Sequence, residues 1–330
     1  MFDGEDPTRV AIACQGGGSH TAFTAGVLKR LLPALHCPAS TGGDPEEPVG
    51  ELVGMSGTSG GAISATAGWY GLLSPDSDPV DCLDATWADI AASSPVERVV
   101  NDWFVWGVRA STGGFPTPEV SPYQLPATRW SQQQLRRTLE RNVDFDRLPE
   151  LVTAETPRLI VGTVNINAGA FETFTDADIT ADALLASAAV PDLFPAVEIH
   201  DHYHWDGLFS QNPPINDLMH VDAERKPDEL WVVQINPQTR DSEPQSLREI
   251  ADRRNELSGN ISLNQELRFV ETVNRWVEAG HLPEEYRRTE IRRIELGRSL
   301  GCPSKFDRSP ELIEELIELG ERRAEEFLAE

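Results

Sequence analysis

Short apolar runs alternate with longer segments of helical periodicity along most of the chain. Arg9 to Cys14 (RVAIAC) is apolar with β-branched residues, the pattern of a buried strand. Ser19 to Leu35 then carries Phe23, Val27 and Leu31 at helical spacing. Cys37 to Gly50 is rich in Pro, Gly and acids and reads as an exposed loop. A second strand runs from Glu51 to about Met55, turns through SGTSGG, and enters a helix that continues to about Leu72.

From Pro95 to Trp130 the pattern loosens, with Trp103, Phe104, Trp106, Phe115, Tyr123 and Trp130 set among Pro, Gly and Ser. Such a segment is either a lid or an irregular stretch whose aromatics anchor it to the body, and the second reading is favoured because aromatics bury large area anywhere. Beyond it the periodicity predicts a helix over Ser131–Arg141, a strand over Arg158–Ile166 with a hairpin partner at Phe171–Thr175, and a short helix over Asp182–Ala189. Two short strands follow near Ala196–Ile199 and Tyr203–Trp205, then a strongly apolar, central strand within Leu230–Pro237. The last third reads as a long helix from Gln245 to Ala279 interrupted near Gly259-Asn260, a strand over Glu290–Leu296, and a helix over Pro310–Leu328. Strands alternating with helices predict a layered α/β fold with a mostly parallel central sheet. No clean boundary divides the chain, so residues 1–330 are expected to form a single domain with a core at about 9–237 and a helical portion at about 245–330.

A chain of 330 residues can bury a core without disulfide staples, and its four cysteines are too scattered for a zinc site or a disulfide framework. No basic start with an apolar run opens the sequence, and no stretch of about 18 apolar residues occurs, so a soluble cytoplasmic protein is expected. The net charge is −26, and Lys29, Lys226 and Lys305 are the only lysines. Mutual repulsion of so many carboxylates fades at molar salt, where the screening length is about 3 Å, which suggests a halophilic protein from a salt-rich cytoplasm. Without a basic stripe, nucleic acid is excluded as a partner.

The sharpest local chemistry is Gly57-Thr58-Ser59-Gly60-Gly61, a G-x-S-x-G string at a strand-to-helix turn, where the serine oxygen would be exposed on a strained backbone. Gly16-Gly17-Gly18-Ser19 also lies between a strand and a helix and can aim several amides at one point, as an oxyanion hole requires. Dinucleotide binding would need glycine where Thr21 stands, and a Walker loop would need a Gly-Lys pair that is missing. Two kinds of base are open to Ser59. His220 or His281 fits the chain order of an α/β-hydrolase, although Ser59 follows only the second strand; Asp206, in Trp205-Asp206-Gly207 at a strand end, could act on the serine directly.

QGGGSH at Gln15–His20, GTSGG at Gly57–Gly61, DGL at Asp206–Leu208, SAAVPDLFPAV at Ser187–Val197 and NPPI at Asn212–Ile215 together resemble the patatin-like phospholipases and acyl hydrolases. The resemblance implies a three-layer patatin-like fold and a catalytic dyad of Ser59 as nucleophile and Asp206 as general base. It also implies an oxyanion hole from the amides of Gly17, Gly18 and Ser19, with Gly16, Gly57, Gly61 and Gly207 supporting the turns. Neither metal nor cofactor is implied. Two positions depart from the family pattern: His20 stands where Lys or Arg is usual, which weakens recognition of a phosphate headgroup, and Leu208 replaces a small residue. His200, His202 and His204 alternate like metal ligands, but Asp201 reads as a hairpin turn that breaks the alternation, so no metal is expected.

The expected function is hydrolysis of carboxylic esters of lipids: phospholipid, lysophospholipid or acylglycerol. The rival readings are a storage-polyester depolymerase using the same dyad, a non-catalytic lipid- or granule-associated binding protein, and a His-assisted hydrolase. A lipid or other hydrophobic ester is the expected partner, with peripheral contact to a membrane or to a lipid or polyester granule.

Overall fold

In strand β1 (Arg9–Cys14), Val10, Ile12 and Cys14 point to one side of the sheet and Ala11 and Ala13 to the other, and all five are buried. Both faces of that strand must therefore be covered, which is the requirement that produces layers. The computed structural model describes residues 7–42, 45–112, 120–191, 193–220 and 225–330. Its sheet contains β1 with β2 (Glu51–Gly57), β3 (Arg158–Asn165), β4 (Ala170–Thr175), β5 (Val197–Ile199), β6 (His202–Asp206), β7 (Glu229–Gln234) and β8 (Glu290–Glu295). β1 pairs in parallel with β2 and β7, β3 joins β2 in parallel, and β8 joins β7 in parallel. β4 and β6 run antiparallel to β3, and β5 antiparallel to β6.

The helices are α1 (Ala22–Leu31), α2 (Gly60–Leu73), α3 (Pro79–Ile90), α4 (Pro95–Thr112), α5 (Pro126–Asn142), α6 (Leu148–Leu151), α7 (Ala181–Ser187), α8 (Asn216–Met219), α9 (Leu247–Glu278) and α10 (Pro310–Leu328). On one side of the sheet Val10, Ile12, Met55 and Val161 join a core with Phe23 and Leu28 of α1, Trp69 of α2, Trp87 of α3 and Leu316 of α10. On the other, Ala11, Ala13, Ile160 and Val232 meet Leu218 of α8 and Leu263, Leu267 and Val270 of α9. Helices thus flank a central sheet on both faces.

α1 and α10 pack backbone to backbone. A methyl group at Gly26 would lie 2.0 Å from the carbonyl oxygen of Ile317, and one at Gly320 would lie 2.1 Å from that of Phe23. Only glycine permits that approach at either position.

Most elements lie where periodicity predicts them, with two corrections. The long C-terminal helix is unbroken over Leu247–Glu278 instead of interrupted at Gly259-Asn260. Both residues are poor helix formers that serve tertiary contacts: Gly259 admits the Asn236 side chain, and Asn260 donates from Nδ2 to the Pro237 carbonyl at 3.0 Å. The stretch expected to be irregular from Pro95 forms the 18-residue helix α4. Nor do all its aromatics act as anchors: Trp103 is 77% and Trp106 65% exposed, while Phe104 packs edge-on against Phe306 at 6.0 Å. Phe115 lies outside the described residues. α3 was not legible from periodicity; Asp78 caps it by accepting from Val80 N at 2.8 Å. No described helix is long and apolar enough to cross a membrane.

Candidate active site

β2 ends at Gly57, and the chain reverses through Thr58 and Ser59 into α2. Ser59 has φ 55° and ψ −133°, a backbone conformation rarely tolerated by residues with a side chain. Its surroundings hold it there. The Ser59 amide donates to Ser187 Oγ at 2.8 Å, and that hydroxyl donates to the Gly162 carbonyl at 2.8 Å. A methyl at Gly61 would lie 2.4 Å from the Cys14 carbonyl oxygen, so the glycine lets the start of α2 press against the end of β1.

Strand register explains how Asp206 reaches this turn. β3 has two edges, and β4 occupies one of them along Ile160–Asn165. The other is shared: β2 pairs with it up to Gly57↔Val161, and β6, running the opposite way, ends with Asp206↔Thr163. The two strands therefore end head to head along one edge, with only Gly162 between their last partners.

Asp206 is 1% exposed, and its Oδ1 accepts from the Leu208 amide at 2.9 Å, capping the turn that follows. Burial raises its carboxyl pKa to about 7 from the ordinary 3.8, against the opposing pull of the Leu208 amide, the hydrogen-bonding Ser59 side chain and the charge of Lys305. A methyl at Gly207 would lie 2.9 Å from the Gly162 carbonyl oxygen, so a larger residue could not follow Asp206 without moving β3.

The glycine loop lies against the same turn. A methyl at Gly16 would lie 2.6 Å from the Thr58 carbonyl oxygen and 3.0 Å from Ser59 Cβ. The Gly16 amide is committed, donating to Asn212 Oδ1 at 2.6 Å. Gly17, Gly18 and Ser19 lead into the 3-10 turn Gly18–Thr21, which continues into α1. Amides at such a start have no acceptor within their own helix and can bind an anionic oxygen. Gly18 is held at φ 59°, and a methyl there would lie 2.2 Å from the Lys305 carbonyl oxygen.

Four residues that support this arrangement carried no assigned role in the sequence. Gln15 Oε1 accepts from the amides of Ile235 and Asn236 at 2.8 and 2.9 Å, and Gln15 Nε2 donates to Asn260 Oδ1 at 3.1 Å. Asn212 holds Gly16 and is itself held, its amide donating to Ser262 Oγ at 3.0 Å. Ser187 holds Ser59, and Lys305 backs Gly18. Gln15, Asn212 and Ser187 fall inside the motif segments; Lys305 lies far downstream in the chain.

His20 is buried, and burial, followed by the charge of Lys305, pushes its pKa down to about 3. Its Nε2 lies 2.8 Å from Ser304 Oγ, whose own proton goes to the Gly301 carbonyl at 2.7 Å, so His20 is the donor and is neutral. A neutral ring offers no charge to an anionic headgroup. His220 and His281 are exposed, just beyond α8 and α9. His200 and Asp201, with φ of 50° and 65°, form the two-residue turn between β5 and β6 and remove His200 from the strand alternation. His204 is buried with Nε2 3.0 Å from Glu172 Oε2. Among the described residues no group of three or more His, Cys, Asp or Glu is arranged to hold a metal.

A strained serine turn, a glycine loop and a buried carboxyl thus meet at the ends of β1, β2 and β6. Residues 12–219 match the patatin-like phospholipase family, and the chain belongs to that family, whose members are lipid acyl hydrolases. No curated protein matches the sequence. Among solved structures, VipD from Legionella pneumophila is similar at 14% identity, covering 98% of this chain and 67% of its own, with a TM-score of 0.45. ExoU, in its heterodimeric complex with SpcU from the type III secretion system of Pseudomonas aeruginosa, is similar at 13% identity, covering 98% of this chain and 52% of its own, with a TM-score of 0.39. The chain thus spans about two thirds of the length of the first and half that of the second.

Proposed function

We propose that the protein is a serine esterase acting on fatty acyl esters through a dyad of Ser59 and Asp206. The observation that carries this reading is the pairing of a strained, glycine-flanked serine with a buried carboxyl whose pKa lies at about 7. A base poised near the working pH is the most effective acceptor of a hydroxyl proton. Asp206 takes the Ser59 proton as Oγ attacks the ester carbonyl, and the amides of Gly17, Gly18 and Ser19 stabilise the developing oxyanion. The proton passes to the departing alcohol. Water, deprotonated by Asp206, then releases the acyl group as a carboxylic acid.

Neutral His20 disfavours recognition that depends on a cationic side chain at the loop, and the acidic chain is expected to meet neutral ester surfaces more readily than anionic ones at low salt. Phospholipid, lysophospholipid, acylglycerol and storage polyester all present the ester carbonyl this chemistry needs. Peripheral contact with a membrane or granule, a cytoplasmic location and a halophilic character belong to the same reading.

The test is hydrolysis of a short-chain p-nitrophenyl ester at molar salt. The parent should turn over, and Ser59→Ala and Asp206→Asn should each lose about 10³-fold or more. Retention of the parent rate by Ser59→Ala would overturn the mechanism, and inactivity of all three would favour the non-catalytic lipid-binding reading.

A further inference from the structure

α4 presents two faces in helical register. Asn101, Phe104, Val105 and Val108 form the face turned to the body, where Asn101 and Val105 are buried and Phe104 packs on Phe306. Asn101 fastens that face, its Nδ2 donating to Asp307 Oδ1 at 3.0 Å and its Oδ1 accepting from the Arg308 amide at 2.8 Å. Half a turn around the helix, Val99, Trp103, Trp106 and Ala110 follow one another at i, i+4, i+7 and i+11. Val99, like the two tryptophans, is mostly exposed. Single apolar residues scattered over a surface are ordinary, but a stripe in helical register with two outward tryptophans marks a surface that something covers.

We propose that this outer face of α4 is the surface by which the protein docks on lipid carrying no net charge. The choice of lipid as occupant rests on the reading of the chain as an esterase of fatty acyl esters. The place of the helix fits that task. The residues that seat α4, Phe306 to Arg308, directly follow Lys305, whose backbone carbonyl abuts Gly18 of the glycine loop. The outer stripe is thus separated from the wall of the loop by about one helix width, ~10 Å. A lipid surface held there lies at the flank of the site.

Charge selects the kind of surface. The whole chain carries −26, but the charged residues of α4, Glu97, Arg98, Asp102 and Arg109, cancel one another. An electrically neutral, tryptophan-bearing helix on an acidic protein suits a surface that is itself uncharged. An anionic bilayer would be repelled by the rest of the molecule at low salt, and a second copy would bring the same −26 to the contact. Tryptophan suits the boundary between water and lipid because one part of its ring system is apolar and its N–H is a donor. α4 is also built to stand without cover on its outer face: the Ser94 amide donates to Glu97 Oε2 at 3.0 Å and the Glu97 amide to Ser94 Oγ at 3.2 Å, a reciprocal cap at its first turn.

The experiment is partition onto phosphatidylcholine and onto phosphatidylglycerol vesicles, at about 0.1 M and 1 M salt, by the parent, Trp103→Gln, Trp106→Gln and the double variant. Both tryptophans are exposed, so the variants should fold, with thermal midpoints matching the parent's. The parent should bind phosphatidylcholine vesicles at both salt concentrations. Its binding to phosphatidylglycerol should be about tenfold weaker at the lower salt, a gap that closes at the higher. Each replacement should weaken binding to phosphatidylcholine about tenfold, and the pair about a hundredfold. Turnover of a short-chain p-nitrophenyl ester free in solution should be the same in all four proteins. Variants that bind phosphatidylcholine as tightly as the parent overturn the proposal, as does a parent that binds neither vesicle or prefers the anionic one at low salt. A parent that self-associates in sedimentation, and no longer does so in the variants, while ignoring vesicles assigns the face to a second copy and overturns it too. A parent that docks through these tryptophans but hydrolyses no ester upholds the surface and removes only the esterase reading.

Discussion

Gly57 and Asp206 pair with Val161 and Thr163 on the same edge of β3, so a parallel and an antiparallel strand end facing one another across Gly162. The serine that follows the first strand and the aspartate that closes the second are thereby brought together by backbone register. Their meeting needs no long side chain and no flexible loop.

The first expectation concerns pH. In the proposed dyad the ionised form of Asp206 is the competent base, and it is present above its pKa of about 7. kcat/KM should therefore fall about tenfold per unit below pH ~6 and reach a plateau above ~8. A pH-rate profile on a non-ionising ester checks this, and a flat profile between those limits would remove Asp206 as the base.

Stability should respond in the opposite direction. A carboxyl whose folded pKa lies above its ordinary value of 3.8 favours the folded state where it is protonated, and that contribution is lost as pH rises through about 7. Asp206→Asn, whose amide oxygen can still accept from Leu208, should thus be more stable than the parent at pH ~8, by on the order of 2 kcal/mol. The gap should close toward pH ~4. Denaturant unfolding at the two pH values measures it, and a variant less stable than the parent at the higher pH would contradict the assignment.

Ser187 offers a test of how the elbow is held. It accepts from Ser59 N and donates to Gly162 O, both at 2.8 Å and both buried. Ser187→Ala leaves those two groups without their partner, at a cost of about 1–3 kcal/mol. With the nucleophile less well placed, kcat should fall about 10- to 100-fold with KM little changed. Unaltered kcat would mean that packing alone fixes the elbow.

Salt addresses the surface. At a net charge of −26, raising salt from about 0.1 M to 1 M shortens the screening length from about 10 Å to 3 Å. The thermal midpoint should rise accordingly, and identical midpoints at both concentrations would rule out a halophilic adaptation.

What the sequence made legible follows from how local each signal is. Arg9–Cys14 and Pro310–Leu328 were bounded correctly because an apolar run, or a helical stripe starting at proline, needs no outside information. Ser59 was legible because a strained turn needs glycines beside it, and Asp206 because it closes a strand before a tight Asp-Gly turn. α4 was not, since its tryptophans face outward and blurred the apolar stripe. The unbroken α9 was missed for a related reason: Gly259 and Asn260 answer to the glycine-loop network and not to helix propensity. Lys305 carries no local mark, because its place at Gly18 arises only when the segment after β8 folds back across the sheet.

The contact between Gly26 on α1 and Gly320 on α10 also has a consequence in time. α1 emerges from the ribosome roughly 15–60 s before α10 at ordinary elongation rates. Throughout that interval the face of α1 that α10 will cover stays open, and β1 lacks its partner β7 until residues 229–234 have been made. The nascent chain thus carries its serine and aspartate early but lacks the wall behind the glycine loop.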